Sequence, residues 1–138
     1  NKYAMSVATC SGYGADESLR YMDKMLSVFG FNMASSLELQ YRPGKMPEKN
    51  RIKNEEKTIK AVHNLIARIQ RGNRDKPSIN MMVPFGIFKS VSIIDREVMS
   101  ADYEYYKDKR DYYYETDIPF LKKFIAKKVV KKIIAGFD

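Results

Sequence analysis

A single cysteine, Cys10, in 138 residues excludes an internal disulfide and any metal cluster built from cysteines alone, and it fits a reducing, cytoplasmic setting. No uninterrupted apolar run reaches the ~20 residues that a bilayer-spanning helix needs. No charged stretch followed by an apolar one precedes the first strand, so nothing reads as a secretory signal. The first residue is Asn and not Met, and a chain that opens so abruptly on a strand reads as a processed product or a fragment. The dinucleotide fingerprint is missing, because Gly12-x-Gly14 has no third glycine at the required offset. The Walker pattern is missing too, since no Gly-Lys-Ser/Thr follows. Histidine is also scarce. His63 sits on the flank of a helical stripe between Ile59 and Ile66, with no catalytic partner near it in sequence, and reads as a partly buried, solvent-touching imidazole.

What is present describes a globular chain of one domain's length, with 44% hydrophobic and 30% charged residues. The apolar run Tyr3-Ala4-Met5-Ser6-Val7-Ala8-Thr9 breaks into Cys10-Ser11-Gly12-Tyr13-Gly14 and resumes with helical spacing, which is a strand, a glycine loop and a helix. In open α/β sheets such a corner lies at the carboxyl end of a strand, where ligands bind. Gly12 and Gly14 let a ligand approach the main chain without a Cβ in the way. Asp16 and Glu17 in the first helical turn repel a phosphate, so the loop suits a neutral, flat group.

The helix after the loop spans about Asp16 to Phe29, with Leu19, Met22, Leu26 and Phe29 on one stripe. Gly30 stands where a left-handed cap belongs, and Phe31 is placed to pack back on the last turn. Met33 to Tyr41 alternates, with Met33, Ser35, Leu37, Leu39 and Tyr41 on one side. It reads as a second strand, parallel to the first and closed by the turn Arg42-Pro43-Gly44. A basic passage, Lys45 to Lys53, leads to a helix capped by Asn54 with Glu55 and Glu56 behind it. Ile59, Val62, Leu65, Ile66 and Ile69 hold its stripe as far as Arg71, and Gly72 stops it.

Gly72 to Pro77 is a hinge by composition. Ser78 to Ile94 looks helical, though Pro84 and Gly86 should kink or divide it. Its Met81, Met82, Phe85, Phe88, Val91 and Ile94 form a packing face or a subunit contact. Asp95 to Asp117 is acidic and dense in tyrosine, which suits docking over a protein surface. Pro119 to Phe137 alternates apolar and lysine pairs and reads as a helix with a broad, drifting apolar arc. The net charge of +8 is unevenly spread: residues 31–77 hold eleven basic and five acidic side chains, and residues 78–138 hold eleven and nine. The tyrosines interleave with acids and not with lysines, which speaks against nucleic acid. The lysine-rich terminal helix has the composition for contact with an anionic membrane surface.

Only two strands are convincing, and two parallel strands do not make a stable doubly wound sheet. Further strands must come from a missing N-terminal part, from another chain, or from a segment misread as helix. The order strand, Thr9-Cys10-Ser11-Gly12-Tyr13-Gly14 loop, helix ending in Gly30-Phe31, strand and charged helix, from Tyr3 to Gly72, resembles the second half of flavodoxin-like proteins of the NAD(P)H-dependent FMN reductase type. The tail, with Ala101-Asp102-Tyr103-Glu104-Tyr105-Tyr106, Tyr112-Tyr113-Tyr114 and its Lys/Ile-rich end, is similar to the C-terminal extension of bacterial flavodoxin family proteins.

The resemblance implies an α/β, three-layer flavodoxin-like sandwich of which only the C-terminal half is present, over residues 1–76, followed by a mainly helical, tyrosine-rich extension over residues 77–138. It implies an FMN-dependent oxidoreductase acting with NAD(P)H; the Met/Phe-rich and Tyr-rich segments, read from their own residues, point to a homo-oligomer. Of the family's flavin loops only the one that meets the ring has a counterpart here, at Thr9, Cys10, Ser11, Gly12, Tyr13 and Gly14. The Ser/Thr-rich phosphate loop, the aromatic loop and the cysteine cluster of iron–sulfur relatives have none. No side chain of this segment is then required as a general acid or base, or as a metal ligand. The alternative from the residues themselves is a non-enzymatic half-domain that binds another subunit without flavin.

Overall fold

A computed structural model describes residues 2–136. The chain divides into two units. The first runs through Ser27 and continues over Phe31–Arg74; the second comprises Val28–Gly30 and the residues from Asp75 on.

In the first unit, the apolar opening run forms β1 (Tyr3–Cys10) and the alternating run forms β2 (Asn32–Gln40). They pair in parallel, from Tyr3 opposite Asn32 to Cys10 opposite Gln40, with one register slip where Ala4 faces Met33 and Met5 faces Ser35. Parallel strands need a crossover, which α1 (Ala15–Val28) supplies. Gly30 (φ 80°) turns the chain out of α1, and the Phe31 N–H donates to the Leu26 carbonyl at 3.1 Å, the six-to-one bond of a left-handed helix cap. Leu19 is buried, Met22 and Leu26 are half-buried, and Phe29, the last member of the expected stripe, is exposed.

Hydrogen bonds show which helix covers which sheet face. Ser6 of β1 and Ser36 of β2 both donate to the Asp23 carboxylate of α1, so one carboxylate ties the two strands together on that face. On the opposite face Ser35 donates to the Ala61 carbonyl of α2 (Glu48–Arg71) at 3.3 Å, and the Tyr3 hydroxyl donates to the Asn73 carbonyl at 3.2 Å. Mixed α/β architecture with a parallel pair is thus present, and the sheet of the described residues has two strands only. Among the described residues, none of the segments read as helix proves to be a strand.

The expected start of α2, its Asn54 cap and the partial burial of His63 are corrected. The helix begins at Glu48 and not at Asn54, behind Pro47 (φ −56°) at its N-cap, because Arg51 bridges Glu48 and Glu55 and carries the helix through the basic passage. Asn54 is not a cap; its amide donates to the Gln40 carbonyl at 2.6 Å. The apolar stripe does not face the sheet. Ala61 is buried against it, whereas Ile59, Ile66 and Ile69 are 57%, 45% and 52% exposed. The cause is polar: Asn54, Lys57 and the Ala61 carbonyl bond to β2, and a residue as small as Ala61 lets the helix approach there, which turns the isoleucines aside. His63 is likewise exposed and not partly buried. Gly72 (φ 66°) closes the helix with its N–H on the Arg68 and Ile69 carbonyls, as its place in the sequence predicts.

The second unit contains α3 (Ile79–Ile94), α4 (Ser100–Tyr106) and α5 (Phe120–Ile134). Pro84 lies inside α3 without dividing it. Met82 and Phe85 are buried with Tyr106, Tyr112, Ile118 and Ala126 in one core, and that burial outweighs the single hydrogen bond the proline removes. Phe85 lies at its centre, with the rings of Tyr113, Tyr106 and Tyr112 centred 4.9, 5.7 and 5.7 Å away. Offset and edge-on arrangements of this kind add to the burial of apolar area. The tyrosine-dense segment therefore folds into its own unit's interior at Tyr106 and Tyr112. Gly86 sits where α3 crosses α5: a Cβ there would stand 2.6 Å from a Val130 methyl. α5 ends at Ile134, and Phe137, the expected end of the terminal helix, lies outside the described residues. No helix among the described residues is long and apolar enough to cross a membrane.

Candidate functional site

The loop between β1 and α1 is built from its two ends. At the strand end, the Cys10 carbonyl accepts from the Tyr41 N–H at 2.8 Å, the last bond of the ladder. At the helix end, Gly14 (φ 89°) holds a conformation that a Cβ disfavours, and its carbonyl accepts the first helical bond, from the Ser18 N–H at 3.2 Å. Between these anchors Ser11, Gly12 and Tyr13 are exposed, and the Tyr13 side chain is 99% exposed. Nothing lies within 4 Å of a Cβ built on Gly12 or Gly14. Thr9 is exposed and Cys10 half-buried.

The electrostatics disfavour an anion. Asp16 is held by Arg20 at 3.0 Å, but Glu17 remains in the first turn, where the helix dipole would otherwise attract a phosphate. What the loop offers is a short run of accessible main-chain N–H groups, open space beside Gly12, and a tyrosine ring free to lie over a flat ligand. Thr9, Cys10, Ser11, Gly12, Tyr13 and Gly14 come together because they are consecutive, and four cavities of 330–680 Å³ are lined by other residues. The six residues thus fit one edge of a planar ring and supply no pocket around it. Among the described residues no group of three or more His, Cys, Asp or Glu side chains could hold a metal ion.

The sheet edge beside the loop is open as well. In a parallel pair, a residue's N–H and C=O point to the same neighbour. The carbonyls of Lys2 and Cys10 face β2, so by alternation the main-chain groups of Met5, Val7 and Thr9 point away from it. Val7 is 44% exposed.

Two features escaped sequence reasoning. Nothing in the spacing of α1 signals that Asp23 bonds to two strands. In the second unit the lysine pairs of the terminal helix were read only as flanking a broad, drifting apolar arc. Lys123, Lys127 and Lys131 recur every four residues, however, and this single helical row was the signal that they share a groove. Lys123 and Lys127 meet Asp111 at 2.9 and 3.4 Å, which holds the Asp111 carboxyl below its usual range. Compared with protein-family models, with curated proteins and with solved structures, the chain has no match.

Proposed function

We propose that this chain forms the flavin-ring corner of a flavodoxin-like, FMN-dependent oxidoreductase of the NAD(P)H-dependent FMN reductase type, operating in the cytoplasm, with the remaining strands contributed from outside the described residues. One observation carries the reading: a parallel β1–β2 pair joined through α1 leaves the Ser11–Gly14 main chain bare at the carboxyl end of β1, the place where open α/β sheets bind ligands. The outward main-chain groups of Met5, Val7 and Thr9 support it, since they are where a further strand would join.

When bound, FMN supplies the hydride or electron transfer, so the protein's task is to position and tune it. In this chain the N–H groups of Ser11 and Gly12 hold the ring edge, the missing Cβ of Gly12 permits the approach, and Tyr13 covers the ring. Glu17 keeps the phosphate end elsewhere. Gly12→Val tests this cleanly, because Gly12 has open space and no positive φ, so the fold should tolerate the change. FMN affinity, read by quenching of flavin fluorescence, should fall at least tenfold; unchanged affinity would count against the assignment. A second reading, a subunit-binding half-domain without flavin, draws on the exposed Ile59, Ile66 and Ile69 of α2. Stoichiometric yellow flavin in the purified protein separates the two.

A further inference from the structure

Between α3 and α5 of the second unit runs a groove of about 680 Å³, within the ~300–1,000 Å³ range of small-molecule sites. Its floor is apolar: Met82, Phe85 and Gly86 come from α3, and Ala126, Val130 and Ile134 from α5. Its rim is cationic. Lys89, Arg110, Lys123, Lys127 and Lys131 line it against one carboxylate, Asp111. Part of that charge is already engaged. The Lys89 ammonium donates to the Lys109 carbonyl, and Lys123 and Lys127 pair with Asp111. Arg110 and Lys131 have no ion-pair partner among the described residues. An apolar trough beside two uncommitted cations, with excess positive charge around it, is complementary to a molecule that is greasy along its length and negative at one end.

From this geometry we infer that the α3–α5 groove binds a free, single-chain anionic amphiphile, an alkyl or acyl chain with a phosphate or carboxylate head. The chain lies over Gly86, Val130 and Ile134, the half-buried members of the apolar lining, and the head sits along the row of Arg110, Lys127 and Lys131. The site belongs wholly to the second unit and does not depend on flavin at the β1–α1 loop.

The test is calorimetric titration of the full chain with dodecyl phosphate below its micelle concentration. Inorganic phosphate, dodecyltrimethylammonium and phosphatidylglycerol vesicles serve as separate arms. Dodecyl phosphate should bind one to one, and inorganic phosphate and the cationic chain at least tenfold more weakly. The exposed double substitution Arg110→Glu with Lys131→Glu should lower dodecyl phosphate affinity more than tenfold while leaving the circular dichroism spectrum unchanged. The inference is overturned by equal binding of the cationic chain, by full affinity in the folded double variant, or by binding to vesicles with none to the monomer.

Discussion

Gly86→Ala should destabilise the second unit, although the same change in most helix interiors stabilises. Replacing an interior glycine by alanine ordinarily gains ~1 kcal/mol of helix propensity. Here the new Cβ would stand 2.6 Å from one Val130 methyl and 3.4 Å from the other. Val130 cannot swing clear cheaply, because a β-branched side chain in a helix has one strongly preferred rotamer. Overpacking of this kind costs ~1–3 kcal/mol, so the net effect should be a loss of about 1 kcal/mol. Val130→Ala removes both methyls and by itself should cost ~1–2 kcal/mol for a half-buried side chain. In that background Gly86→Ala should change sign and stabilise by ~1 kcal/mol, giving a coupling of ~2 kcal/mol, well above the error of additivity between independent sites. Urea unfolding of the four proteins, followed by the near-ultraviolet dichroism of the packed tyrosines, measures the cycle. A stabilising Gly86→Ala of equal size in both backgrounds would refute the close crossing of α3 and α5.

Gly30→Ala should cost ~2–4 kcal/mol, combining left-handed strain with overpacking, because its Cβ would meet the Tyr113 ring at 2.5 Å; a melting temperature equal to that of the unsubstituted chain would contradict it. Asp23→Ala should destabilise the first unit by ~1–3 kcal/mol, since the buried Ser6 hydroxyl loses its acceptor; chemical denaturation reads this, and Asp23→Asn should recover part of the loss. Burial pushes the Tyr112 and Tyr113 phenols well above their ordinary value of 10.0. The unfolded chain then gives up these protons first, so stability should hold below about pH 10 and fall as pH rises past it. Spectrophotometric titration should show this pair forming tyrosinate only as dichroism is lost, and ionisation ahead of unfolding would sink the prediction.

Local signals in the sequence were reliable where they act on their own neighbours. Gly30 and Gly72 end their helices by left-handed caps because the backbone geometry is settled within a few residues. The run Tyr3–Thr9 and the alternation after Met33 give strands for the same reason. The direction in which a face points is a different matter. Periodicity groups Ile59, Val62, Ile66 and Ile69, but whether they meet the sheet depends on Ala61 being small enough to be the contact and on Asn54 and Lys57 reaching carbonyls of β2. The start of α2 was hidden because Pro47 caps without a side-chain signature and the Arg51 bridges cross the passage that reads as a loop. Pro84 looked like a break because its cost is local, whereas the burial of Met82 and Phe85 that offsets it comes from Tyr106, Tyr112 and Ala126, distant in sequence. The β1–α1 loop could be read as a candidate site since its residues are contiguous. The α3–α5 groove could not, as it is assembled from three separated stretches.

Amide-resolved nuclear magnetic resonance of the full chain during titration with FMN addresses the proposed flavin contact of the β1–α1 loop most directly. The account predicts that the Ser11, Gly12, Tyr13 and Gly14 amides shift together, in step with the quenching of flavin fluorescence, while amides of α3 and α5 stay put. Quenching that leaves those four amides unmoved, or no quenching at all, would contradict it.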